Sequence, residues 1–177
     1  MPGSSRLGLS LAEAMDRDFA SPKVPNRKAN DMDKIVARSV GHVEVRRIAP
    51  DDSNYFVLLF DPEADAIEPV CVVEIFTVGG KTPPNSHQRA HEFFYVLAGE
   101  GIAICGEEAR TIGKGDALML RPGAEHVIKN TGSTKLYTLT FMVPNEGFAE
   151  LIRAGEPLSL DEEDQAVLTG AMREAGA

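Results

Sequence analysis

The stretch GGKTPPNSHQRAHEFFYVLAG, at residues 79–99, decides the fold prediction. It opens with two glycines and two prolines, which favour turns, and it closes with an aromatic and aliphatic run typical of a strand. His87, His91 and Glu92 lie between these two parts. Imidazole nitrogens and a carboxylate are common ligands of divalent transition metals. The stretch therefore predicts a metal-binding loop that leads into a strand.

Short runs rich in Val, Ile, Phe and Tyr recur on both sides of this stretch, separated by Gly, Pro and Asp. Strands at such spacing, with turn residues between them, are typical of an antiparallel sandwich or barrel. No helical period of useful length interrupts them, which disfavours an alternating α/β fold. The predicted strands are Val43–Ile48, Tyr55–Phe60, Val70–Val78, Phe93–Leu97, Gly101–Cys105, Ala117–Leu120, Val127–Lys129 and Leu136–Val143. Residues 105–108 and 130–134 are predicted to be hairpin loops.

The chain divides into three predicted parts: an arm at residues 1–33, a β-barrel at 34–144 and a helical extension at 145–177. In the arm, a capping box that starts at Ser10 predicts a short helix over Leu11–Phe19. The arm is interpreted either as a flexible tail or as a segment packed on a partner subunit.

Two helices are predicted in the extension. Asn145 is expected to cap the first, Glu146–Arg153, which ends at Gly155. Ser159 and Glu162 form the capping box that predicts the second, which ends near Glu174.

Composition and charge narrow the classes of partner. Of the 177 residues, 43% are hydrophobic and 25% charged, as is usual for one globular domain. The net charge of -9 disfavours a nucleic-acid partner, and no apolar run approaches the ~18 residues of a membrane span. No secretory signal pattern opens the sequence, and Cys71 and Cys105 are interpreted as free thiols. These features predict a cytoplasmic protein with a small-molecule partner and neither nucleic acid nor membrane.

Alternation along a strand predicts which side chains face inward. Asn85 and His87 share one face, and Glu92 shares a face with Phe94, whereas His91 points the other way. His126 belongs to a later hairpin and must be brought to the site by the fold.

Two segments carry a family resemblance. Residues 79–99 follow the pattern G-x5-H-x-H-x4-E-x6-G, except that Asn85 replaces the first histidine. Residues 115–130, GDALMLRPGAEHVIKN, follow G-x5-P-x-G-x2-H-x3-N, except that Arg121 replaces the proline. In these motifs the chain resembles the cupin superfamily over roughly Val70–Val143. The resemblance implies an all-β fold, the cupin double-stranded β-helix or RmlC-like jelly-roll barrel of a single-domain cupin.

The resemblance also implies a ligand set for one divalent transition metal ion. His87, Glu92 and His126 would be ligands, and Asn85 stands where the family has a fourth. If Asn85 does not bind, two histidines and one carboxylate remain, an arrangement that favours Fe2+, with Mn2+, Ni2+ and Zn2+ as alternatives. Because many cupins have lost their metal, an empty site is the other interpretation.

Further residues are assigned candidate roles. Glu92 is the candidate catalytic residue, as a proton acceptor that the resemblance implies. Arg121, Phe94 and His91 are candidate substrate contacts. For Arg121 the alternative is a solvated turn residue, for Phe94 barrel packing, and for His91 a surface position.

Three hypotheses for function follow. The first is a dioxygenase-like oxidoreductase that acts on a phenolic, enolisable or carboxylate-bearing molecule. It is favoured because the helices after Pro144 resemble the tails of single-domain cupins that are similar to quercetin dioxygenases. The second is a non-redox isomerase, lyase or cyclase that uses the metal as a Lewis acid. The third is a metal-free barrel that binds a small ligand.

A homodimer is the expected assembly. Phe93, Tyr95 and Leu97 are predicted to face outward, and together they are too apolar to remain in water. The family resemblance also implies a dimer.

Overall fold

The computed structural model describes residues 34–170 of the chain. The predicted arm at residues 1–33, with its helix at Leu11–Phe19, lies outside the described residues. Within residues 34–170, a 3-10 helix at Val40–His42 precedes ten strands and three α-helices. The strands are β1 (Glu44–Arg47), β2 (Asn54–Phe60), β3 (Val70–Phe76), β4 (His91–Ala98), β5 (Glu100–Cys105), β6 (Glu108–Gly113), β7 (Ala117–Leu120), β8 (His126–Asn130), β9 (Leu136–Val143) and β10 (Glu156–Pro157). The helices are α1 (Pro62–Asp65), α2 (Phe148–Ala154) and α3 (Glu162–Thr169).

The strands form two sheets, and every pairing is antiparallel. The larger sheet has the order β10-β1-β2-β3-β9-β4-β7, and the smaller has the order β6-β5-β8. Non-consecutive neighbours such as β3 and β9 pair over their full length, which is typical of a jelly roll. The all-β prediction is confirmed, and all eight predicted strands are present, two with the predicted ends (β7 and β9) and six with shifted ends.

One of the two predicted hairpin loops is confirmed and the other is wrong. Residues 105–108 form the turn between β5 and β6, which pair from Cys105 and Glu108 onward. Residues 130–134 instead connect the two sheets, because β8 pairs with β5 whereas β9 pairs with β3 and β4. The buried Asn130 holds this crossing: its Nδ2 donates to the carbonyl oxygens of Phe76, Thr77 and Thr134.

The interior consists of two apolar clusters with polar side chains between them. One cluster includes Phe56, Val72 and Met142, and the other includes Phe76, Phe94 and Leu136. On β3 and β9, the inward positions between the clusters are occupied by polar residues, which are Glu74, Thr138 and Thr140. A buried polar group costs free energy unless it is paired, so this polar layer indicates a functional interior.

Helix α3 covers the outer face of the larger sheet. The buried Asp164 accepts hydrogen bonds from the hydroxyls of Tyr55 and Tyr137, at 2.8 and 2.9 Å, and from Nζ of Lys135 at 2.9 Å. The predicted capping box at Ser159 is wrong, because Asp161 caps the helix. The Asp161 side chain accepts a hydrogen bond from the backbone N–H of Asp164, and the Asp164 side chain accepts one from the backbone N–H of Asp161. The predicted end near Glu174 is also wrong. The helix ends at Thr169, and Gly170 follows in the left-handed conformation.

Helix α2 begins two residues later than predicted, at Phe148, with Gly147 at its N-cap. Asn145 still contributes to its start, since its Oδ1 accepts a hydrogen bond from the backbone N–H of Ala149. The predicted end at Gly155 is confirmed. Among the described residues, no helix has both the length and the apolar character needed to cross a membrane.

Candidate metal centre

Three predicted ligands converge in the interior. Nε2 of His126 lies 3.0 Å from Oε2 of Glu92, and Nε2 of His87 lies 3.2 Å from the same oxygen. The two imidazole rings are 5.8 Å apart between centroids. The potential ligand atoms of these three residues all lie within 4.8 Å of one another. Glu92 and His126 are buried, and His87 is half-buried.

Each side chain reaches this point from a different part of the fold. Glu92 lies on β4 of the larger sheet, and its side chain points inward because that position shares a face with Phe94. His126 begins β8 of the smaller sheet. His87 lies in the connection between β3 and β4. The fold therefore brings one ligand from each sheet and a third from a loop.

Backbone hydrogen bonds fix the loop that carries His87. Asn85 and His126 form an antiparallel bridge, with N–H to O distances of 3.2 and 2.9 Å. The N–H of Gly123 donates to the carbonyl oxygen of His87 at 2.7 Å. Gly123 has a φ of +77°, a conformation that favours glycine. Both sequence motifs are thus joined through main-chain contacts.

Glu146 holds the same loop from the other side. Its two carboxylate oxygens accept hydrogen bonds from the backbone N–H groups of Gln88 and Arg89, at 3.0 and 2.7 Å. Glu146 itself has a φ of +49°, which is uncommon for a residue with a side chain. The loop next to His87 is therefore tied to the segment that precedes α2.

The contacts of His126 orient its ring. Nδ1 lies 3.0 Å from the carbonyl oxygen of Ala124, an arrangement in which Nδ1–H donates and Nε2 faces Glu92. Burial disfavours the charged forms of both residues, but their mutual contact outweighs it. The pKa of Glu92 is therefore lowered by the nearby imidazoles, and that of His126 is raised by Glu92 and Ala124.

The cluster fits a metal ion. Oε2 of Glu92 is buried and lacks a hydrogen-bond partner among the described residues, although Nε2 of both imidazoles lies within 3.2 Å of it. Three atoms that face one point without bonding well to each other match the needs of a shared cation. Three protein ligands also leave positions open for a substrate, as in catalytic metal sites.

The cluster forms part of the wall of a cavity of about 170 Å³. Phe56, Phe94, Phe148 and Leu151 supply apolar walls, and the last two place α2 beside the cavity. An apolar cavity of about 150 Å³ accommodates one molecule the size of benzene. The volume therefore suits a small organic molecule.

A second carboxylate lines this cavity. Glu74, on β3, is buried, and its Oε1 accepts a hydrogen bond of 2.6 Å from Nδ2 of Asn54. Burial, with a further contribution from the charge of Glu92, raises the pKa of Glu74 to about 8. Glu74 is therefore largely protonated at neutral pH in the metal-free protein.

The other predicted site residues occupy different positions. Asn85 lines the cavity and its Nδ2 donates to the carbonyl oxygen of Pro83, so its role as a fourth ligand stays a prediction. Phe94 lines the cavity and also packs in an apolar cluster. Arg121 is exposed, and neither it nor His91 is among the residues that line this cavity. Their roles as substrate contacts stay predictions.

Sequence reasoning missed Asn54, Glu74 and Glu146. Glu74 carries a signal, because it is the one charged residue in the run VCVVEIF and shares its strand face with Val72 and Phe76. Asn54 and Glu146 carry none that is visible in the sequence, since their contacts depend on strand register and chain path.

Comparisons with known proteins agree with this geometry. A model of the cupin domain matches residues 72–142. An uncharacterized protein of Methanocaldococcus jannaschii is 33% identical over 70 residues, which are 40% of this chain. The match spans 56% of that relative's length.

Two solved structures share the fold. A predicted oxalate decarboxylase from Thermotoga maritima superposes with a TM-score of 0.56 and 22% identity, over 62% of this chain and 99% of the other. An oxalate oxidase in complex with glycolate superposes with a TM-score of 0.50 and 23% identity, over 57% of this chain and 56% of the other. Identities this low establish the architecture alone. Together with the match over residues 72–142, that architecture shows a cupin-type fold with a region similar to the cupin domain.

Proposed function

We propose that this protein is a metal-dependent enzyme that acts on a small carboxylate-bearing or enolisable molecule. The observation that carries the proposal is the meeting of His87, Glu92 and His126 at the wall of the cavity. Two neutral nitrogens and one anionic oxygen leave a divalent ion with a net positive charge. An anionic oxygen of a substrate is the group such a centre attracts most strongly.

A bound divalent metal would polarise a substrate oxygen and lower the pKa of an adjacent group, and Fe2+ would also supply chemistry with dioxygen. The protein contributes the surroundings. Phe94 and Phe148 exclude water from the cavity, which strengthens electrostatic interactions within it. Glu92, besides its role as a ligand, is the proposed proton acceptor.

The size of the substrate follows from the cavity. About 170 Å³ suits a molecule of benzene size or smaller, and it is too small to enclose a whole flavonol. The similar structures include a predicted oxalate decarboxylase and an oxalate oxidase bound to glycolate, and both names point to small carboxylates. A small carboxylate is therefore favoured over a large phenolic substrate for the proposed dioxygenase-like reaction.

Non-redox acid–base chemistry is the second candidate, and Glu74 favours it. Of the three carboxylates that line the cavity, Glu74 and Glu92 have opposite pKa shifts, raised for Glu74 and lowered for Glu92, and so provide a proton donor and a proton acceptor. An isomerase or lyase needs this combination and no dioxygen.

Metal analysis tests the premise that both candidate functions share, namely that His87, Glu92 and His126 bind a metal ion. Protein purified without added metal is analysed by inductively coupled plasma mass spectrometry, beside His87→Ala and His126→Ala. His91→Ala is the matched control, because His91 precedes Glu92 on β4 and points to the opposite face. We expect stoichiometric metal in the wild type and control and its loss in both test variants. Equal metal content in all four proteins would contradict the proposal.

Oxygen dependence separates the two candidates. A dioxygenase-like reaction consumes dioxygen in step with substrate, whereas a lyase or isomerase turns over under anaerobic conditions. Oxygen-electrode measurements with small keto acids and hydroxy acids distinguish these outcomes.

We also propose a cytoplasmic location. The free cysteines Cys71 and Cys105 support it, since thiols persist in a reducing compartment.

A further inference from the structure

The wall of the cavity formed by β2 and β3 carries its own polar pair. Asn54 and Glu74 are 3% and 2% exposed, and Nδ2 of Asn54 donates to Oε1 of Glu74. Neither residue belongs to the His87, Glu92 and His126 cluster, which lies on β4, β8 and the loop between β3 and β4. The cavity therefore has a buried polar pair on this wall, separate from the candidate metal ligands.

Asn54 has an unused acceptor at this place. Its Oδ1 is buried and has no hydrogen-bond partner in the part of the chain that the structure describes. A buried amide oxygen without a partner has lost its hydrogen bond to water, and a bound donor could restore it. Because Asn54 lines the cavity, a molecule bound there can supply the missing donor.

The identity of that donor follows from the surroundings. Oδ1 of Asn54 requires an O–H or N–H group. An ammonium would need a charged partner beside Oδ1, but burial holds the neighbouring Glu74 largely neutral, with its pKa raised to about 8. Asp52 also lines the cavity, but its Oδ2 already accepts a hydrogen bond from the backbone N–H of Ala49. A hydroxyl donates to Oδ1 without bringing a charge into the cavity, and it can accept a second hydrogen bond.

We propose that Asn54 and Glu74 form a hydroxyl-binding subsite, and that the substrate is a small hydroxy acid. Its acidic oxygen faces the His87, Glu92 and His126 cluster, and a separate hydroxyl faces Asn54. This inference rests on the proposed function, because it assumes that the acidic group binds at the metal centre.

Paired ligands that differ by one hydroxyl test the subsite. The Mn2+-loaded full chain is titrated by calorimetry with 3-hydroxypropanoate against propanoate and with 4-hydroxybutanoate against butanoate. The hydroxyl is kept away from the carboxylate because a 2-hydroxyl would chelate the metal. We expect at least one hydroxy acid to bind about tenfold tighter than its partner, as one satisfied hydrogen bond provides. The amine 3-aminopropanoate serves as a third arm.

Two variants test whether the preference for the hydroxy acid depends on Asn54 and Glu74. Asn54→Leu and Glu74→Met remove polar groups with little change in volume, and metal content measured in parallel reports whether each variant retains the centre. We expect both variants to bind the hydroxy acid and its partner equally, with unchanged metal content. A preference that persists in both variants would overturn the subsite, as would equal binding in the wild type or tighter binding of the amine.

Failure of the subsite and failure of the proposed function give different binding results. If propanoate and its hydroxylated partner bind equally and only in the presence of metal, the subsite is wrong and the metal enzyme stands. If no acid in the series binds the metal-loaded protein, both the subsite and the small-carboxylate assignment are wrong.

Discussion

Oε1 of Glu146 accepts a hydrogen bond of 2.7 Å from the backbone N–H of Arg89. The two residues are 57 positions apart, and this contact fastens the loop beside His87 to the start of the helical extension. The position of one metal-ligand candidate thus depends on a carboxylate that neither sequence motif contains.

Removal of this carboxylate should weaken metal binding. For Glu146→Ala we expect metal affinity to fall about tenfold, because groups that orient a metal ligand typically contribute 10- to 100-fold. Competition with a chromogenic chelator measures the affinity. Gln88→Ala is the control, since it keeps the backbone N–H that Glu146 binds and leaves the contact between Glu146 and the Arg89 side chain in place. An unchanged affinity in Glu146→Ala would show that the loop holds its position without this contact.

Glu74 should impose a pH dependence on stability. Its pKa of about 8 in the folded protein exceeds the ordinary value of 4.5, so the folded state binds more protons than the unfolded state between these values. The free energy of unfolding of the metal-free protein should therefore fall as pH rises from 5 to 8. In Glu74→Gln this decline should be weaker, so that the variant is the more stable protein at pH 8.

Urea denaturation after chelation of metal measures this effect. Glu107→Gln, in the exposed β5–β6 turn, is the matched control and should follow the wild type at every pH. Parallel curves for wild type and Glu74→Gln would contradict a raised pKa at Glu74.

The ion pair between Arg153 and Asp61 should stabilise the protein against acid. Two nitrogens of Arg153 on α2 bind the two carboxylate oxygens of the buried Asp61 at 2.7 Å each. Burial opposes the charge of Asp61, but these contacts outweigh it and hold its pKa below the ordinary value. The stabilisation is therefore complete above the unfolded pKa of about 3.9 and is lost as pH falls through the lower folded value.

We expect Arg153→Met to lower the free energy of unfolding at pH 7 by about 3 kcal/mol, because it leaves a buried carboxylate unpaired. The loss should shrink at pH 3. Arg110→Met removes the exposed pair with Glu108 and should cost less than about 1 kcal/mol. Similar losses from both substitutions at pH 7 would show that the Asp61 pair contributes no more than a surface contact.

An apolar patch on the larger sheet should bury itself against a second copy of the chain. Phe93, Tyr95, Met119 and Phe141, on β4, β7 and β9, are 38–47% exposed. They lie on adjacent strands, with Phe93 opposite both Met119 and Phe141. Elsewhere on the outer face of this sheet, residues such as Leu160 and Val167 cover the strands. We propose a homodimer through the uncovered part.

Light scattering coupled to gel filtration should give twice the chain mass of 19.1 kDa for the wild type. Phe93→Glu should give one chain mass, whereas Val78→Glu, an exposed apolar site outside the patch, should remain dimeric. A monomeric wild type would contradict the dimer.

Much of the fold could be predicted because its signals are local. Strands such as β4 are short runs rich in aromatic and aliphatic residues, and such runs are visible in the sequence itself. The ligand candidates were identified because two motifs hold their spacing over 79–99 and 115–130. Strand β6 was missed because four of its six residues are exposed, which leaves no alternation to read.

Contacts between distant parts of the chain could not be predicted. The path through residues 130–134 depends on the buried hydrogen bonds of Asn130, and the site contacts of Asn54 and Glu146 depend on tertiary packing. For Leu97 the strand face was predicted, but its partial burial against neighbours such as Val167 was not. These differences arise from packing, which local periodicity does not encode.

The Asn85–His126 bridge has a mechanical consequence for how an ion would leave. Because this bridge joins the loop that carries His87 to the smaller sheet, the imidazoles of His87 and His126 should move together when the two sheets separate. Glu92, on the opposite sheet, would stay behind. Separation of the two sheets would thus detach the carboxylate of Glu92 first. Ion release would then begin with the loss of the negatively charged ligand, while the distance between the two imidazoles is unchanged.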